Sequence, residues 1–227
     1  MTDQTAKLDW RDGRVPISTQ FDDPYYSLDN GLDETRHVFL AGNDLPARFG
    51  DDFQIAELGF GTGLNLLVTW ALWDQCRRPG TLRFTSFEAY PMAKDDMQAA
   101  LAHFPEIAAY SAILLEHWSP VDGPTHLPDG PILEVIIGDA RQTVPSWERM
   151  ADTWFLDGFS PAKNPELWEP ALMIAVGHHT HSDGTAATYS AAGHVRQSLT
   201  AAGFTVDRIP GYGRKRHMTR ARKNNAK

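Results

Sequence analysis

Short apolar runs of strand length alternate along the chain with segments whose apolar residues recur at helical spacing. The runs that predict strands are Phe53–Leu58, Leu82–Phe87, Pro131–Gly138, Thr153–Leu156, Gly184–Ser190, Thr205–Ile209 and His217–Arg222. The segments that predict helices are Leu64–Cys76, about Lys94 to His103, and about Val195 to Ala202 with Gly203 as its cap. This alternation predicts an α/β fold with a mostly parallel sheet, helices on both faces, and ligands at the carboxyl ends of the strands.

Two further features predict antiparallel pairing at the margins of the sheet. The turn Pro128-Asp129-Gly130 suggests that Pro131–Gly138 forms a hairpin with the segment before it. Thr205–Ile209 and His217–Arg222 are predicted to form a closing antiparallel pair. Residues 1–50 lack the alternation, so we expect them to form an N-terminal cap of one domain whose sheet occupies residues 51–227.

Composition narrows the cellular setting. The chain opens without a basic segment followed by an apolar one, and no apolar run is long enough to cross a bilayer. Cys76 is the single cysteine, so it supports no internal disulfide, zinc knuckle or redox pair. We therefore expect a cytoplasmic protein without a membrane partner.

The formal net charge of the chain is −8, but its C-terminal end is basic. Seven of the 21 basic residues follow Gly213 with no acidic residue among them, which leaves 14 basic against 29 acidic residues elsewhere. This end could contact phosphates although the body is acidic. The alternative is a solvated tail without a partner.

A glycine-rich turn, Glu57-Leu58-Gly59-Phe60-Gly61-Thr62-Gly63, joins the first predicted strand to the first predicted helix. Glycines allow a backbone to approach a ligand closely. A dinucleotide fingerprint would need glycine where Leu64 stands, and a phosphate loop with its Lys and Ser or Thr is absent. With Glu57 before it, the turn suits a ligand with a positively charged methionine moiety; the alternative is a purely structural turn.

Carboxylates also end the following strands. Glu88 could accept hydrogen bonds from both hydroxyls of a ribose, although strand ends are often acidic for other reasons. Asp139, in Gly138-Asp139-Ala140, could accept a hydrogen bond from an adenine amino group. Together with Glu57, these residues predict a nucleoside-containing ligand at the sheet edge.

The segment Asp157-Gly158-Phe159-Ser160-Pro161-Ala162-Lys163-Asn164-Pro165 leaves a predicted buried strand as a stiff loop. An alkylamine reacts only through its uncharged form, so a carboxylate such as Asp157 could orient the amine and take up its proton. Phe159 offers a face on which a base can stack. The alternative is that Asp157 caps the turn and Phe159 belongs to the core.

The cluster His178-His179-Thr180-His181, followed by Asp183, invites a metal site. We expect it to lie in an exposed turn before the strand that begins at Gly184, and no cysteine or second ligand cluster supports metal binding. We therefore predict no metal.

Taken together, these motifs resemble the methyltransferase half of the bifunctional tRNA 5-methylaminomethyl-2-thiouridine biosynthesis protein family, MnmC, and its stand-alone relatives. The resemblance runs from about Phe21 to Arg216. The segments that carry it are Phe21–Ser27, Asn30–Arg36, Gly59–Asn65, Phe87-Glu88, Gly138-Asp139, Trp154–Pro165 and Gly211–Arg216.

The resemblance implies a Rossmann-like fold that transfers a methyl group from S-adenosylmethionine to 5-aminomethyl(-2-thio)uridine at the tRNA wobble position. It implies Asp157 as the catalytic carboxylate. The positions it assigns to the cofactor are Tyr25, Glu34, Glu57, Gly59, Phe60, Gly61, Thr62, Gly63, Asn65, Glu88, Asp139 and Ala140. With the aromatic face and the basic end considered above, the positions expected to contact tRNA are Phe159, Lys163, Asn164, Arg196, Arg214, Lys215 and Arg216.

Because the chain ends where the bifunctional proteins continue into a flavin-dependent oxidoreductase, we expect no FAD here and a separate oxidoreductase acting upstream. Two departures from the family concern the tRNA contacts. The stretch His178–Asp183 lacks the expected small, basic, glycine-rich turn, and Gln197 stands where a second arginine is expected. The alternatives are methylation of another amine, on a small molecule or protein, and a noncatalytic tRNA-binding module.

Overall fold

The computed structural model describes residues 5–27, 30–77, 80–119 and 123–224. In chain order the strands are β1 (Leu8–Arg11), β2 (Val15–Ser18), β3 (Asp23–Pro24), β4 (Asp52–Leu58), β5 (Thr81–Glu88), β6 (Thr125–His126), β7 (Ile132–Ile137), β8 (Ala151–Leu156), β9 (Thr180–Thr188), β10 (Phe204–Pro210) and β11 (His217–Lys223). The α-helices are α1 (Gly31–Thr35), α2 (Leu64–Cys76), α3 (Lys94–Leu101), α4 (Ala108–His117), α5 (Ala140–Thr143), α6 (Pro170–His178) and α7 (Gly193–Ala201). A π-helical turn covers Arg36–Leu40, and 3-10 turns cover Ala41–Asn43, Pro105–Ile107 and Pro165–Trp168.

The large sheet has the strand order β10-β11-β9-β8-β4-β5-β7-β6. Its five central strands, β9, β8, β4, β5 and β7, are parallel to their neighbours in this group. At the margins β6 pairs antiparallel with β7, and β10 and β11 form an antiparallel pair next to β9. The predicted mostly parallel sheet, the hairpin and the closing pair are therefore confirmed. The carboxyl ends of the central strands meet at one edge.

Burial of the central strands on both faces is the physical basis of this layered arrangement. Residues 53–58 of β4 are all buried, as expected for a strand covered on both faces. One core cluster packs residues of α2 and α4, such as Leu67 and Leu114, against the sheet. A second cluster contains residues of α6 and α7, such as Val176 and Leu199.

The residues before β4 form two structures. Strands β1, β2 and β3 make a small antiparallel sheet of their own. Leu32, Val38 and Phe39 from the following helical segment are at most 3% exposed and belong to the main core. The boundary predicted at residue 50 remains a prediction, since part of the cap is continuous with the core.

The turn predicted at His178–Asp183 is wrong, although His178 and the residues from His181 to Asp183 are exposed as predicted. His178 ends α6, and β9 already begins at Thr180, which pairs with Ala151 of β8. Thr180 is 3% exposed, and its Oγ1 donates to the main-chain oxygen of Val176 at 2.6 Å. Pairing with the start of β8 therefore extends the strand into a polar stretch, although the side chains of His178 and His181 are exposed.

Candidate active site

A cavity of about 800 Å³ lies where the carboxyl ends of β4, β5, β7 and β8 meet. The glycine-rich loop after β4 forms one part of its wall, and the cap, the segment after Asp157 and the β10–β11 loop form the others. The predicted site segments therefore converge on a single cavity.

The glycine-rich loop needs its glycines for backbone shape and for close approach. Gly59, Gly61 and Gly63 all have positive φ, and Gly63 stands immediately before α2. A Cβ on Gly59 would lie 2.3 Å from the main-chain oxygen of Asp157. A Cβ on Gly61 would lie 3.1 Å from the Cδ1 of Tyr25. Phe60 and Thr62 line the cavity between these glycines, each 4% exposed.

Glu88 faces the cavity at the end of β5. Its Oε2 accepts a hydrogen bond from the Gly61 amide at 3.1 Å, and its Oε1 accepts one from the Tyr90 amide at 2.8 Å. Burial raises the pKa of this carboxyl group, while the main-chain hydrogen bonds act in the opposite direction. These main-chain hydrogen bonds hold the carboxyl group in the cavity wall.

Asp139 and Ala140 line the cavity beyond β7, but Asp139 already has a strong partner. The Asp139 carboxylate accepts hydrogen bonds from the Arg141 guanidinium at 3.0 and 2.7 Å and from the Arg141 amide at 2.9 Å. These bonds lower the pKa of Asp139. Arg141 also lines the cavity, and it was not predicted although it stands two residues after the predicted strand-end aspartate.

Glu57 and Gly63 lie behind the loop and are not part of the cavity wall. Glu57 is 1% exposed; its Oε2 accepts a hydrogen bond from Ser86 Oγ at 2.7 Å, and its Oε1 accepts one from Asn65 Nδ2 at 2.9 Å. Burial raises the pKa of Glu57 well above its ordinary value, and the nearby Asp157 acts in the same direction.

Asp157 follows β8 directly and faces the cavity. Burial raises the pKa of its carboxyl group to about 7, and the charge of Glu34 adds to this effect. A hydrogen bond from Asn65 and the charge of Lys215 lower the same pKa. A carboxyl group with a pKa close to neutrality is well suited to exchange a proton with a substrate.

Lys215 of the β10–β11 loop reaches across to the cap. Its Nζ donates to Glu34 Oε1 at 2.8 Å and lies 3.7 Å from the centre of the Tyr189 ring. The Tyr189 hydroxyl in turn donates to the Gly158 main-chain oxygen at 2.6 Å, and burial raises the pKa of Tyr189, so it stays neutral. Tyr189 was not predicted as a site residue, because no local motif marks it.

Aromatic side chains form one wall of the cavity. The Phe159 ring stacks on Phe21 with a centroid distance of 4.9 Å and meets Tyr25 edge-on at 5.0 Å. Tyr90 contacts Phe21 edge-on at 6.0 Å. All four residues line the cavity, so Phe159 is held by packing while part of it faces the ligand space.

The residues predicted to contact tRNA fall into two groups in the structure, those that line the cavity and those that do not. Asn164, Arg214 and Lys215 line the cavity. Lys163 instead donates to the main-chain oxygen and the carboxylate of Asp22, and so ties its loop to the cap.

The remaining basic candidates lie outside the cavity wall. Arg196 is on α7, where its Nε donates to the Ala191 main-chain oxygen at 3.4 Å. Arg216 is exposed. Lys227, part of the predicted basic end, lies outside the described residues.

Across residues 5–27, 30–77, 80–119 and 123–224, no three His, Cys, Asp or Glu side chains are grouped so that they could hold a metal ion. In the same residues no helix is long and apolar enough to cross a membrane.

Comparisons with known proteins agree with this geometry. A family model described as an S-adenosyl-L-methionine-dependent methyltransferase matches residues 96–224. The tRNA 5-methylaminomethyl-2-thiouridine biosynthesis bifunctional protein MnmC of Aeromonas hydrophila is 45% identical over 229 residues, covering 94% of this chain and 34% of that protein. The MnmC protein of Caulobacter vibrioides is 42% identical over 223 residues, covering 95% and 38%. The predicted resemblance is confirmed.

A solved structure is similar along almost the whole chain. The crystal structure of MNMC2 from Aquifex aeolicus matches with a TM-score of 0.74 and 28% identity over 98% of this chain and 73% of that one. The predicted Rossmann-like fold class is therefore confirmed. By contrast, the chain spans only about a third of the length of the two bifunctional relatives, at 34% and 38%.

Proposed function

Since the chain belongs to the family of S-adenosyl-L-methionine-dependent methyltransferases, we propose that it methylates the amine of 5-aminomethyl(-2-thio)uridine at the tRNA wobble position. The observation that carries the proposal is Asp157, a carboxyl group with a pKa of about 7 in the cavity wall beside an aromatic surface. The names of the MnmC relatives support the choice of tRNA and of this nucleoside.

The cavity wall fits the cofactor. The loop residues Gly59 and Gly61 form part of the cavity wall, and Glu88 lies beside them, where it would accept hydrogen bonds from the ribose hydroxyls. The other residues that would hold the cofactor are Tyr25, Glu34, Phe60, Thr62, Asp139 and Ala140. When bound, S-adenosylmethionine supplies an electrophilic methyl group on its sulfonium. Glu57 and Gly63 would act through the loop, since they lie behind the wall.

Asp157 prepares the acceptor amine. An alkylammonium ion has no free lone pair, so one proton must leave the nitrogen before it can react. Asp157 accepts hydrogen bonds from this nitrogen and takes up its proton. Phe159 stacks on the uracil ring and positions the amine beside the carboxylate.

Basic and polar residues at the cavity rim contact the tRNA backbone. Asn164 and Arg214 in the cavity wall and the exposed Arg216 are available for phosphate contacts, and Arg196 would make a more distant one on α7. Lys163 would have to exchange its ion pair with Asp22 for a phosphate.

The reaction takes place in the cytoplasm, and neither a metal ion nor FAD takes part. Our expectation of a separate FAD-dependent oxidoreductase acting upstream also forms part of the proposal. These points follow from the tRNA substrate and from the sequence resemblance.

The test incubates the protein with radiolabelled S-adenosylmethionine and tRNA from cells that lack the wobble methyl group, followed by nucleoside analysis. We expect label in 5-methylaminomethyl(-2-thio)uridine, and a loss of rate of about 10²–10⁴-fold with Asp157→Asn, the typical range for a general base. Asp152→Asn, on the strand β8 that precedes Asp157, is the control, since Asp152 accepts a hydrogen bond from the main-chain N–H of Gln54 and does not line the cavity. Label in another molecule would support another amine substrate, and tRNA binding without any transfer would support a noncatalytic module.

A further inference from the structure

Asn65, at the start of α2, connects four segments of the protein through its side chain. The residue is 7% exposed and lines the cavity. Its Nδ2 donates to Asp157 Oδ2 at 2.7 Å and to Glu57 Oε1 at 2.9 Å, and its Oδ1 accepts from Thr35 Oγ1 at 2.8 Å. Both side-chain N–H groups are therefore used within the protein, which leaves none for a cofactor.

The orientation of this amide follows from its neighbours. If the amide were flipped, its oxygen would face Asp157 Oδ2 at hydrogen-bond distance, and the N–H bond to the ionised Asp157 carboxylate would be lost. Thr35 can serve as donor only while Oδ1 points towards α1. Asn65 is thus held in one orientation by three partners that come from α1, β4 and the end of β8.

We infer that Asn65 is a positioning residue, and this inference rests on the proposed function. Asn65 holds the Oδ2 atom of Asp157, so that the Oδ1 atom of Asp157 is left for the substrate amine. Among the described residues no hydrogen bond to Asp157 Oδ1 is formed. Asn65 therefore acts on the reaction through Asp157, although the family resemblance implied a role in cofactor binding.

The charges around Asp157 explain why a neutral donor is useful there. Glu34 faces it from α1 and Glu57 from β4, while Lys215 faces it from the β10–β11 loop and Tyr189 from the end of β9. Lys215 is the cation among these residues, and it already forms an ion pair with Glu34. The Asn65 hydrogen bond stabilises the ionised form of Asp157 without adding another charge to this group.

The experiment compares Asn65→Leu with wild type, and uses Thr69→Val as a matched control. Thr69 lies one turn later on α2 and is fully buried, and its hydroxyl donates only to the main-chain oxygen of Asn65. In Asn65→Leu we expect roughly a tenfold or greater loss of kcat at pH 7. We also expect the acid limb of the pH profile to move about one unit to higher pH, because the ionised carboxylate has lost a donor. Cofactor affinity, measured by calorimetry, should change less than about threefold.

A second measurement does not depend on turnover. In protein labelled with 13C at aspartate carboxyl groups, the resonance that Asp157→Asn removes reports the titration of Asp157 directly. Its pKa should rise by about one unit in Asn65→Leu and stay unchanged in Thr69→Val. If wild type fails to methylate tRNA, the proposed function fails, while this titration still decides the role of Asn65.

A milder variant covers the case in which Asn65→Leu does not fold. Thr35→Val removes only the donor to Asn65 Oδ1, and we expect a shift of the Asp157 pKa in the same direction but smaller. An unchanged Asp157 titration in whichever of these variants folds would overturn the inference. A loss confined to cofactor affinity would overturn it as well.

Discussion

Replacing Gly59 by alanine tests whether the close approach between the glycine-rich loop and Asp157 controls the active site. Gly59 has a φ of +85°, and a Cβ added to it would lie 2.3 Å from the Asp157 main-chain oxygen. A left-handed backbone conformation costs an L-residue roughly 1–2 kcal/mol. Carbon and oxygen in contact stay about 3.3 Å apart or more, so the two segments must also separate by about 1 Å.

Gly13 separates these two effects. It too has a positive φ, +64°, but a Cβ added to it would have no neighbouring atom within 4 Å. Gly13→Ala should therefore lose about 1–2 kcal/mol in the free energy of unfolding, measured by urea denaturation, and keep its turnover. Gly59→Ala should lose more, because it adds the steric overlap.

Turnover gives the sharper readout. A displacement of about 1 Å in a catalytic group can reduce the rate about 10²-fold, so Gly59→Ala should show a loss of that order in single-turnover methylation. Calorimetry should also detect weaker S-adenosylmethionine binding. If Gly59→Ala matches Gly13→Ala in stability and keeps wild-type turnover and cofactor affinity, the loop and the Asp157 segment are not rigidly coupled and the reasoning is wrong.

Three further predictions concern charge. Lys215→Met removes the cation that lowers the pKa of Asp157, so the acid limb of the kcat profile should move to higher pH; an unmoved limb would show that this charge does not act on Asp157. Replacing Arg214 and Arg216 together by glutamine should reduce the slope of log affinity for tRNA against log salt by up to about 2, with cofactor affinity in calorimetry as the control. Asp157→Asn should raise Tm more at pH 8 than at pH 5. In wild type the pKa of Asp157 is about 7 in the folded state and 3.8 ordinarily, so the free energy of unfolding falls as the pH rises from 3.8 to about 7. The asparagine side chain of the variant does not ionise, so it lacks this loss. An equal change in Tm at both pH values would contradict the raised pKa.

The elements that the sequence predicted correctly are those with a strong local signal. Strand β4 and helix α2 meet at glycines, and β10 and β11 flank a proline-glycine turn, so apolar pattern and turn chemistry agree. Helices α4 and α6 were missed. Helix α6 is apolar along most of its length, and without a polar face it has no helical period to detect.

Tertiary pairing explains the error at β9. Its first residues, Thr180 to Asp183, are polar and typical of a turn. They nevertheless continue a strand, because the start of β8 offers a partner and Thr180 is buried there. Local propensity cannot reveal such a partner 29 residues away in the chain, at Ala151.

The site shows the same division between local and distant information. Glu88 ends β5 and Asp157 follows β8, so the parallel sheet brings them to one edge, and both positions were predictable from the sequence. The contact between Glu34 and Lys215 joins residues 181 positions apart. No spacing rule in the sequence connects them, and it depends on how the cap and the β10–β11 loop meet over the cavity.

A short motif therefore identifies where a site lies better than it identifies what each residue does there. The glycine-rich turn determines a backbone path. Glu57 was expected to touch the cofactor because it belongs to this turn, and Asn65 because of the family resemblance. In the structure the Asn65 amide is oriented by Thr35, 30 residues before it, and by Asp157, 92 residues after it. Glu57 is turned inward to Ser86. Because hydrogen-bond partners from distant segments decide which way these side chains point, their roles depend on the assembled network, and the Asp157 titration in Asn65→Leu measures that network directly.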